Sequence, residues 1–273
     1  MKEEIQKFFK GDIDDTEETL VKYSHDASVF EIKPALVLFP KDGPDVENLV
    51  AWASANKAKY PHLAITARCA GTCMSGGAIG ESIILDFTRY MNNLIDFTDK
   101  GKITVEPGMF YRDFEKITLE KGMILPCYTA SKNLNAVGGM FGNNSAGERT
   151  LRFGKTEDYV IESEVVFQDG KTYKVKPLSK IELETKIAQG DFEGNLYKKI
   201  YELALHNDAA LQKAKPKVSK NSAGYTLWNV LDTLGVRGAS NYFDLNKILV
   251  GSQGTLGIAT QITFRLIEEA KYR

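Results

Sequence analysis

The sequence predicts a mixed α+β protein, and three observations support this. Short apolar runs at 35–39, 63–66 and 82–87 are typical of buried strands. A helical pattern begins at Gly43-Pro44, with apolar residues repeating at i, i+3, i+4 and i+7. Asp169-Gly170 separates two further apolar runs and predicts an antiparallel hairpin with a tight two-residue turn. Helices together with antiparallel strands fit an α+β architecture better than a strict βαβ series.

The remaining elements follow from the same patterns. A helix is predicted near 16–23, ahead of the first strand. Later strands and helices alternate irregularly: strand 103–106, helix 110–121 ended by Gly122, strands 159–167 and 172–175, helix 195–212, and strands 247–250 and 260–266. Residues 126–154 show little periodicity and many Gly, Pro, Asn and Ser. A loop of that length in a compact protein is usually functional.

Composition excludes several classes of protein. The 273 residues carry a formal charge of -1 with 43% hydrophobic residues, so nothing draws the chain generally toward nucleic acid. No run reaches the roughly 18 apolar residues of a spanning helix, and the first residues lack a signal peptide's apolar core. We expect a cytoplasmic protein, with peripheral attachment to the inner face of a membrane as a second option. Cys69, Cys73 and Cys127 are expected to be reduced thiols.

The sharpest local signal is the segment 68–77, RCAGTCMSGG, between two predicted strands. Small residues let backbone N–H groups approach a bound anion, and phosphate is the obvious one. A plain glycine-rich turn is the alternative. Two other phosphate motifs fail: Gly154-Lys155-Thr156 lacks the first P-loop glycine, since Arg149 stands there, and it leads into a strand. Gly251, Gly254 and Gly257 have the wrong spacing for a Rossmann fingerprint.

Several segments, in this order, resemble the FAD-linked oxidase family of the vanillyl-alcohol oxidase or PCMH type. They are YSHDAS at 23–28, 34–40, 68–76, 126–139, GNNSAG at 142–147, GKTEDYV at 154–160, 221–227 and 251–258. Within that family the sequence is most similar to D-2-hydroxyacid dehydrogenases, which act on D-lactate, glycolate or D-2-hydroxyglutarate. The resemblance implies a two-lobed FAD-binding domain, with lobes at 1–95 and 96–266. Residues 267–273 would begin a linker to a cap domain that the chain lacks.

The resemblance also implies a set of cofactor-binding residues. The pyrophosphate loop would contribute Arg68, Cys69, Ala70, Gly71, Thr72, Cys73, Met74, Ser75 and Gly76. A second wall would contain Pro126, Thr129, Ala130, Ser131, Asn135, Ala136, Val137, Gly138, Gly139, Asn143, Asn144, Ser145 and Gly147. The site would be closed by Gln253, Gly254, Thr255, Gly257 and Ile258. For Asn143 and Asn144 a simple turn-forming role is the alternative.

Some positions depart from the family pattern. Cys69 and Ala70 stand where relatives have glycine, Tyr128-Thr129 replaces an Asp-Pro pair, and Gln253 replaces a glutamate. Relatives that bind flavin covalently use a histidine in the pyrophosphate loop, and Thr72 occupies that position. The resemblance therefore implies dissociable FAD. Cys73 and Cys127 are expected to be packing residues.

The resemblance implies oxidation of a small 2-hydroxy acid by hydride transfer to FAD, but no catalytic residue can be assigned. His25, His62 and His206 lack metal-ligand spacing, and we expect surface or structural roles and no metal. Lys220 and Ser222 are candidates for substrate binding, with a solvated basic loop as the alternative. The catalytic base would come from a cap domain or partner subunit, and an iron–sulfur module is the expected electron acceptor. The chain alone is expected to be inactive.

Two other functions are compatible with the sequence. A flavin-binding module that only relays electrons, or that has lost activity, would show the same motifs. A reductase of the UDP-N-acetylenolpyruvoylglucosamine type shares the broad fold but fits the segments 142–147 and 251–257 poorly.

Overall fold

The computed structural model describes residues 1–98, 100–218, 220–222, 224–232 and 242–270. These residues form two sheets with helices around them. The mixed α+β class predicted from the sequence is confirmed. The boundary between lobes at residues 95 and 96 stays a prediction, and residues 271–273 of the predicted linker lie outside the described part.

The first sheet is mostly parallel, in the order β1-β2-β4-β3. Its strands are β1 (Asp12–Asp14), β2 (Leu36–Phe39), β3 (Ile65–Arg68) and β4 (Ile83–Asp86), and only β1 pairs antiparallel. Its helices are α1 (Lys2–Ile5), α2 (Glu17–Tyr23) and α3 (Gly43–Asn56). Asp42 caps α3 by accepting from the Asp45 N–H, and the predicted apolar face of α3 is buried.

The second sheet is antiparallel throughout, in the order β5-β6-β10-β8-β9. It contains β5 (Leu94–Thr98), β6 (Lys102–Val105), β8 (Val160–Val166), β9 (Thr172–Val175) and β10 (Ile258–Arg265). A small pair joins β7 (Met123–Ile124) to β11 (Ile267–Glu268). The helices are α4 (Tyr111–Glu120), α5 (Val137–Asn143), α6 (Thr150–Phe153), α7 (Lys180–Ala188), α8 (Phe192–His206), α9 (Asp208–Ala214) and α10 (Asn246–Leu249).

The two sheets share one region of core. Val166 of β8 and Ile258 of β10 pack in the same apolar cluster as Leu49 of α3. The Ser54 hydroxyl of α3 donates to the Gln168 carbonyl in the β8–β9 turn at 2.7 Å. Helix α3 therefore bridges the sheets and holds them at a fixed separation.

Three predicted elements differ from the structure. Residues 247–250 are not a strand, because α10 covers 247–249 and Val250 is its C-cap; the Asn246 N–H donates to the Asp244 carboxylate. The predicted helix 195–212 is divided at Asn207 into α8 and α9, and α7 precedes it. The predicted loop 126–154 contains α5. Its three glycines and its asparagine have low helix propensity, so the sequence does not predict this helix, and the packing of Val137, Met140 and Phe141 stabilises it.

The hairpin is present, but its turn is longer than predicted. The Phe167 N–H donates to the Lys171 carbonyl, which leaves a three-residue loop at 168–170. Within this loop only Gly170 has a positive φ, 75°. This is the common alternative in which a type I turn is followed by one left-handed residue.

Gly138 offers a direct test of the close packing between the sheets. A Cβ at Gly138 would lie 2.6 Å from Pro107 Cβ and 2.8 Å from Cys69 Sγ, whereas a Cβ at Gly139 would meet nothing within 4 Å. We expect Gly138→Ala to lower the free energy of unfolding by about 1–3 kcal/mol through overpacking. Gly139→Ala, the matched control, should be neutral or stabilising by up to about 1 kcal/mol, because alanine favours helix. Urea denaturation of both proteins measures this, and equal losses would contradict it.

Candidate functional site

A cavity of about 410 Å³ lies between the two sheets. Three loops enclose it: the loop after β3, the loop that leads into α5, and the loop before β10. Most of the predicted cofactor residues line it: Arg68, Cys69, Ala70, Gly71, Thr72, Cys73, Met74, Ser75, Thr129, Ser131, Asn135, Ala136, Gly138, Gly139, Asn143, Ser145, Gln253, Gly254, Gly257 and Ile258. The structure thus brings together segments that are far apart in the sequence.

Other residues proposed for ligand binding do not line the cavity: Gly76, Pro126, Ala130, Val137, Asn144, Gly147, Thr255, Lys220 and Ser222. Several lining residues were not among the predicted cofactor-binding residues, although Gly77 ends the predicted anion loop and Gly142 begins the GNNSAG segment. They are Ala67, Gly77, Ala78, Phe87, Pro107, Met140, Phe141, Gly142 and Ala259. Met140, Phe141 and Gly142 belong to α5, so recognition of that helix would have placed them here. The role of every residue in ligand binding stays a prediction.

The loop after β3 combines backbone freedom with one buried cation. Gly71 and Gly76 have positive φ values of 66° and 80°, which few other residues adopt. The Arg68 guanidinium lies over the Tyr23 ring, and its Nη1 donates to the Ala78 carbonyl at 3.0 Å. Its Nε is buried without a hydrogen-bond partner. Desolvation by burial lowers the pKa of Arg68, and the nearby carboxylates of Asp86 and Asp26 oppose this shift.

Gln253 contacts opposite walls of the cavity through its backbone and its side chain. Its φ is 52°, an uncommon value for a residue other than glycine. Its N–H donates to the Gly142 carbonyl at 2.9 Å, and a side chain at Gly77 would overlap its Oε1. Strained backbone is found mostly at functional sites, and this residue borders the cavity.

One end of the cavity carries a hydrogen-bonded group of neutral side chains. Thr129 Oγ1 lies 2.9 Å from Ser131 Oγ and accepts from Asn135 Nδ2 at 3.0 Å. Asn135 is 4% exposed, and its Oδ1 is buried without a partner. Almost all buried acceptors in proteins are paired, so an unpaired oxygen at this position is unusual.

A buried carboxylate supports the wall that holds Asn143 and Ser145. Glu157 Oε2 accepts from Asn144 Nδ2 at 3.0 Å, and the Glu157 N–H donates to Asn144 Oδ1 at 3.1 Å. Lys155 Nζ lies 3.0 Å from Glu157 Oε1, with both side chains largely buried. These contacts hold Asn144 at a φ of 46° with its side chain directed away from the cavity.

The segment around Ser222 contacts the back of the same wall. The Ser222 hydroxyl donates to the Asn144 carbonyl at 3.0 Å, and Lys155 Nζ donates to the Asn221 carbonyl at 2.8 Å. Lys220 is exposed. Ser222 therefore reaches the cavity only through Asn144.

The three histidines are exposed and none lines the cavity. Among residues 1–98, 100–218, 220–222, 224–232 and 242–270, no cluster of three His, Cys, Asp or Glu side chains could hold a metal ion. No helix in those ranges is long and apolar enough to cross a membrane.

Comparison with known proteins identifies the family. A profile described as "FAD binding domain" matches residues 34–176, which is more than half of the chain. The chain belongs to this FAD-binding family. The match covers the loop after β3, helix α5 and the β8–β9 hairpin.

Curated relatives extend the similarity to nearly the whole chain. D-2-hydroxyglutarate dehydrogenase of Escherichia coli strain K12 is 28% identical over 269 residues, which is 98% of this chain and 26% of that protein. Glycolate oxidase subunit GlcD of Bacillus subtilis is 26% identical over 96% of this chain and 43% of its own length. D-lactate dehydrogenase [cytochrome] 1 of Saccharomyces cerevisiae is 23% identical over 94% and 33%. The chain thus spans about a quarter to two fifths of these relatives.

Solved structures support the fold. An alkyldihydroxyacetonephosphate synthase matches 98% of this chain and 40% of its own with a TM-score of 0.64 at 18% identity. The 6-hydroxy-D-nicotine oxidase of Arthrobacter nicotinovorans matches 95% of this chain and 43% of its own at a TM-score of 0.61 and 16% identity. At these identities the likeness establishes the two-sheet FAD-binding fold alone.

The residues of the cavity fit the chemistry of FAD. The diphosphate requires a cation and close backbone amides, and Arg68 and the small-residue loop offer both. The isoalloxazine ring requires neutral hydrogen-bonding groups, which Asn135, Thr129 and Ser131 present. Close backbone approach at Gly77 and Gly138 shapes the walls between these ends.

The three thiols should differ in reactivity. All three are free. Burial raises the pKa of Cys69, and it raises the pKa of Cys127 to about 12, so almost no thiolate of either exists near pH 8. Cys73 lies on the cavity loop beside exposed Met74. We expect one fast thiol per chain with Ellman's reagent in native protein, three in denaturant, and none fast in Cys73→Ser. Two fast native thiols would contradict the assignment.

Glu157 should be important for stability. Removing one partner of a buried ion pair costs about 3–5 kcal/mol, so we expect Glu157→Gln to lower the free energy of unfolding by about 3 kcal/mol. The matched control is Glu162→Gln, whose partner Lys174 is 58% exposed, and a loss under about 1 kcal/mol is expected there. Urea denaturation at pH 7 measures both values. Similar small losses would show that the Glu157 network is not stabilising.

Proposed function

We propose that this chain is the FAD-binding part of an oxidoreductase that oxidises a small 2-hydroxy acid. The observation that supports this most strongly is similarity over 94–98% of the chain to proteins named D-2-hydroxyglutarate and D-lactate dehydrogenase. Bound FAD would supply the acceptor for a hydride from the substrate's α-carbon. A base would take the hydroxyl proton, leaving a 2-oxo acid.

The residues of the cavity divide into two roles in this proposal. Arg68 and the amides of residues 69–76 hold the diphosphate, because Arg68 Nε is buried and unpaired beside them. The neutral groups near Thr129 and Asn135 orient the flavin ring without adding charge. Gln253, anchored to Gly142, closes the opposite side.

Proton removal requires a group from outside this cavity. Arg68 is the one charged residue among those that line it in the described part of the chain, and no histidine does. We therefore propose that a cap domain or a partner subunit supplies the base. Lys220 is exposed and Ser222 lies behind Asn144, so they would contact the substrate only where that added domain extends over the back of the wall. An iron–sulfur module would accept the electrons.

The flavin is proposed to be held without a covalent bond. Thr72 offers no nucleophile comparable to a histidine, and burial keeps the Cys127 thiol protonated with a pKa of about 12. Cys73 hydrogen-bonds with Ser75 at 3.2 Å, which gives it a packing role in the loop.

The proposal is tested by offering FAD to the purified chain, removing the excess and recording the visible spectrum. We expect an oxidised-flavin spectrum, a higher melting temperature, and full release of the flavin into the supernatant after acid precipitation. Turnover of D-lactate or D-2-hydroxyglutarate with an artificial acceptor should be negligible for the chain alone. Arg68→Ala should weaken FAD binding by about tenfold or more, since a charge-assisted contact is lost.

Three results would contradict parts of this proposal. A colourless protein with no thermal stabilisation would exclude FAD binding. Flavin that precipitates with the protein would exclude the non-covalent mode. Rapid oxidation of either hydroxy acid by this chain alone would show that the base lies within it.

A further inference from the structure

We propose that the neutral end of the cavity, formed by Thr129, Ser131 and Asn135, binds the hydrogen-bonding edge of the isoalloxazine ring, with Asn135 Oδ1 accepting from the ring N3–H. This inference rests on the proposed binding of FAD. It assigns one buried atom of this chain to one atom of the cofactor.

Asn135 is buried with an unpaired side-chain oxygen. The residue is 4% exposed and lines the cavity, yet its Oδ1 has no hydrogen-bond partner. An unpaired buried acceptor is costly, and such groups are rare in native proteins. A donor from the ligand would satisfy this oxygen, and the rest of the side chain already has its partner.

Hydrogen bonds hold both the backbone and the side chain of Asn135 in place. Its backbone N–H donates to the Ser131 carbonyl at 3.0 Å, and its carbonyl accepts from the Tyr111 N–H at 3.0 Å. Its Nδ2 donates to Thr129 Oγ1 at 3.0 Å. Since the backbone and the amide nitrogen are both fixed, Oδ1 occupies one position and is preorganised for a ligand.

The neutral end of the cavity and the edge of the flavin ring have complementary hydrogen-bonding groups. The edge of an isoalloxazine ring presents one N–H between two carbonyl oxygens. A fixed acceptor beside a hydroxyl donor complements part of this pattern. One of the hydroxyls of Thr129 and Ser131 donates to the other, and the remaining hydroxyl can donate to one ring carbonyl. A phosphate has no donor for Asn135 Oδ1. An adenine amino group does, so the test separates the two halves of FAD by comparing FAD with ADP.

The experiment compares Asn135→Leu with Asn133→Leu. Asn133 lies on the same loop with an exposed side chain, so it is the matched control. Dissociation constants are measured for FAD and for ADP, which carries the adenine and diphosphate half without the flavin. For Asn135→Leu we expect FAD to bind about tenfold more weakly, the loss of one hydrogen bond, while ADP binds as to the unmodified chain. The melting temperature of the ligand-free protein should change little, because removal of the unpaired Oδ1 offsets loss of the hydrogen bond from Nδ2 to Thr129. Asn133→Leu should change neither affinity.

A spectroscopic readout reports on the contact directly. With FAD labelled with ¹⁵N at N3, the N3 resonance of the bound flavin should move in Asn135→Leu, whereas it should be unchanged in Asn133→Leu. An unmoved N3 resonance would overturn the inference. So would an unchanged FAD affinity, or an equal loss of FAD and ADP affinity, which would place the contact on the shared half. Failure of the unmodified chain to bind FAD or ADP would instead reject the proposed function.

Discussion

The site depends on how closely the two sheets approach each other at positions without side chains. Gly138 packs against Pro107 and Cys69, and Gly77 packs against Gln253. At these points the walls of the cavity are in contact, and elsewhere the cavity separates them. Because protein interiors are closely packed, a methyl group added at Gly138 would have to displace the backbone of Pro107, whereas one added at Gly77 would displace the end of the Gln253 side chain. The cavity therefore has a width set by glycine positions on both sides.

Cys69 illustrates how this chain accommodates a departure from the family pattern. A glycine would be expected at this position, yet the Cys69 thiol lies against the Pro107 carbonyl at 3.3 Å and against the start of α5. The thiol fills space between the sheets instead of projecting into the ligand space alone. Its raised pKa keeps it neutral, which suits a contact between packed backbones.

Patterns in the sequence predicted the fold more completely than the site. Strand β2 is a continuous apolar run and β4 is apolar up to Asp86, because both strands are buried on both faces. Helix α3 has a clear apolar repeat. Helix α5 was missed because VGGMFGN has poor helix propensity and is stabilised only by tertiary contacts. The lining residue Phe87 could not be found from the sequence, since only the three-dimensional fold brings the end of β4 to the cavity.

The position of Asn144 shows a further limit. The asparagine-rich pattern led to a predicted cofactor contact, but its side chain is paired with Glu157 in the wall behind the cavity. A left-handed residue at the end of α5 reverses the chain, and Asn is one of the few side chains that tolerate this geometry. No sequence pattern distinguishes an asparagine that faces a ligand from one that forms a turn.

The strained residues also explain how two distant segments act as one site. Asn144 and Gln253 have positive φ in the described chain, and the Gly251 N–H bonds to the Phe141 carbonyl between them. Lys247 donates to the Glu157 carbonyl at 2.6 Å, so α10 is fixed to the same wall. Rearrangement of the loop before β10 would therefore disturb α5, and through it the neutral end of the cavity. This coupling gives a physical reason why the loop before β10, α5 and the Glu157 network form a single rigid wall: each holds the others in a backbone conformation that none would adopt alone.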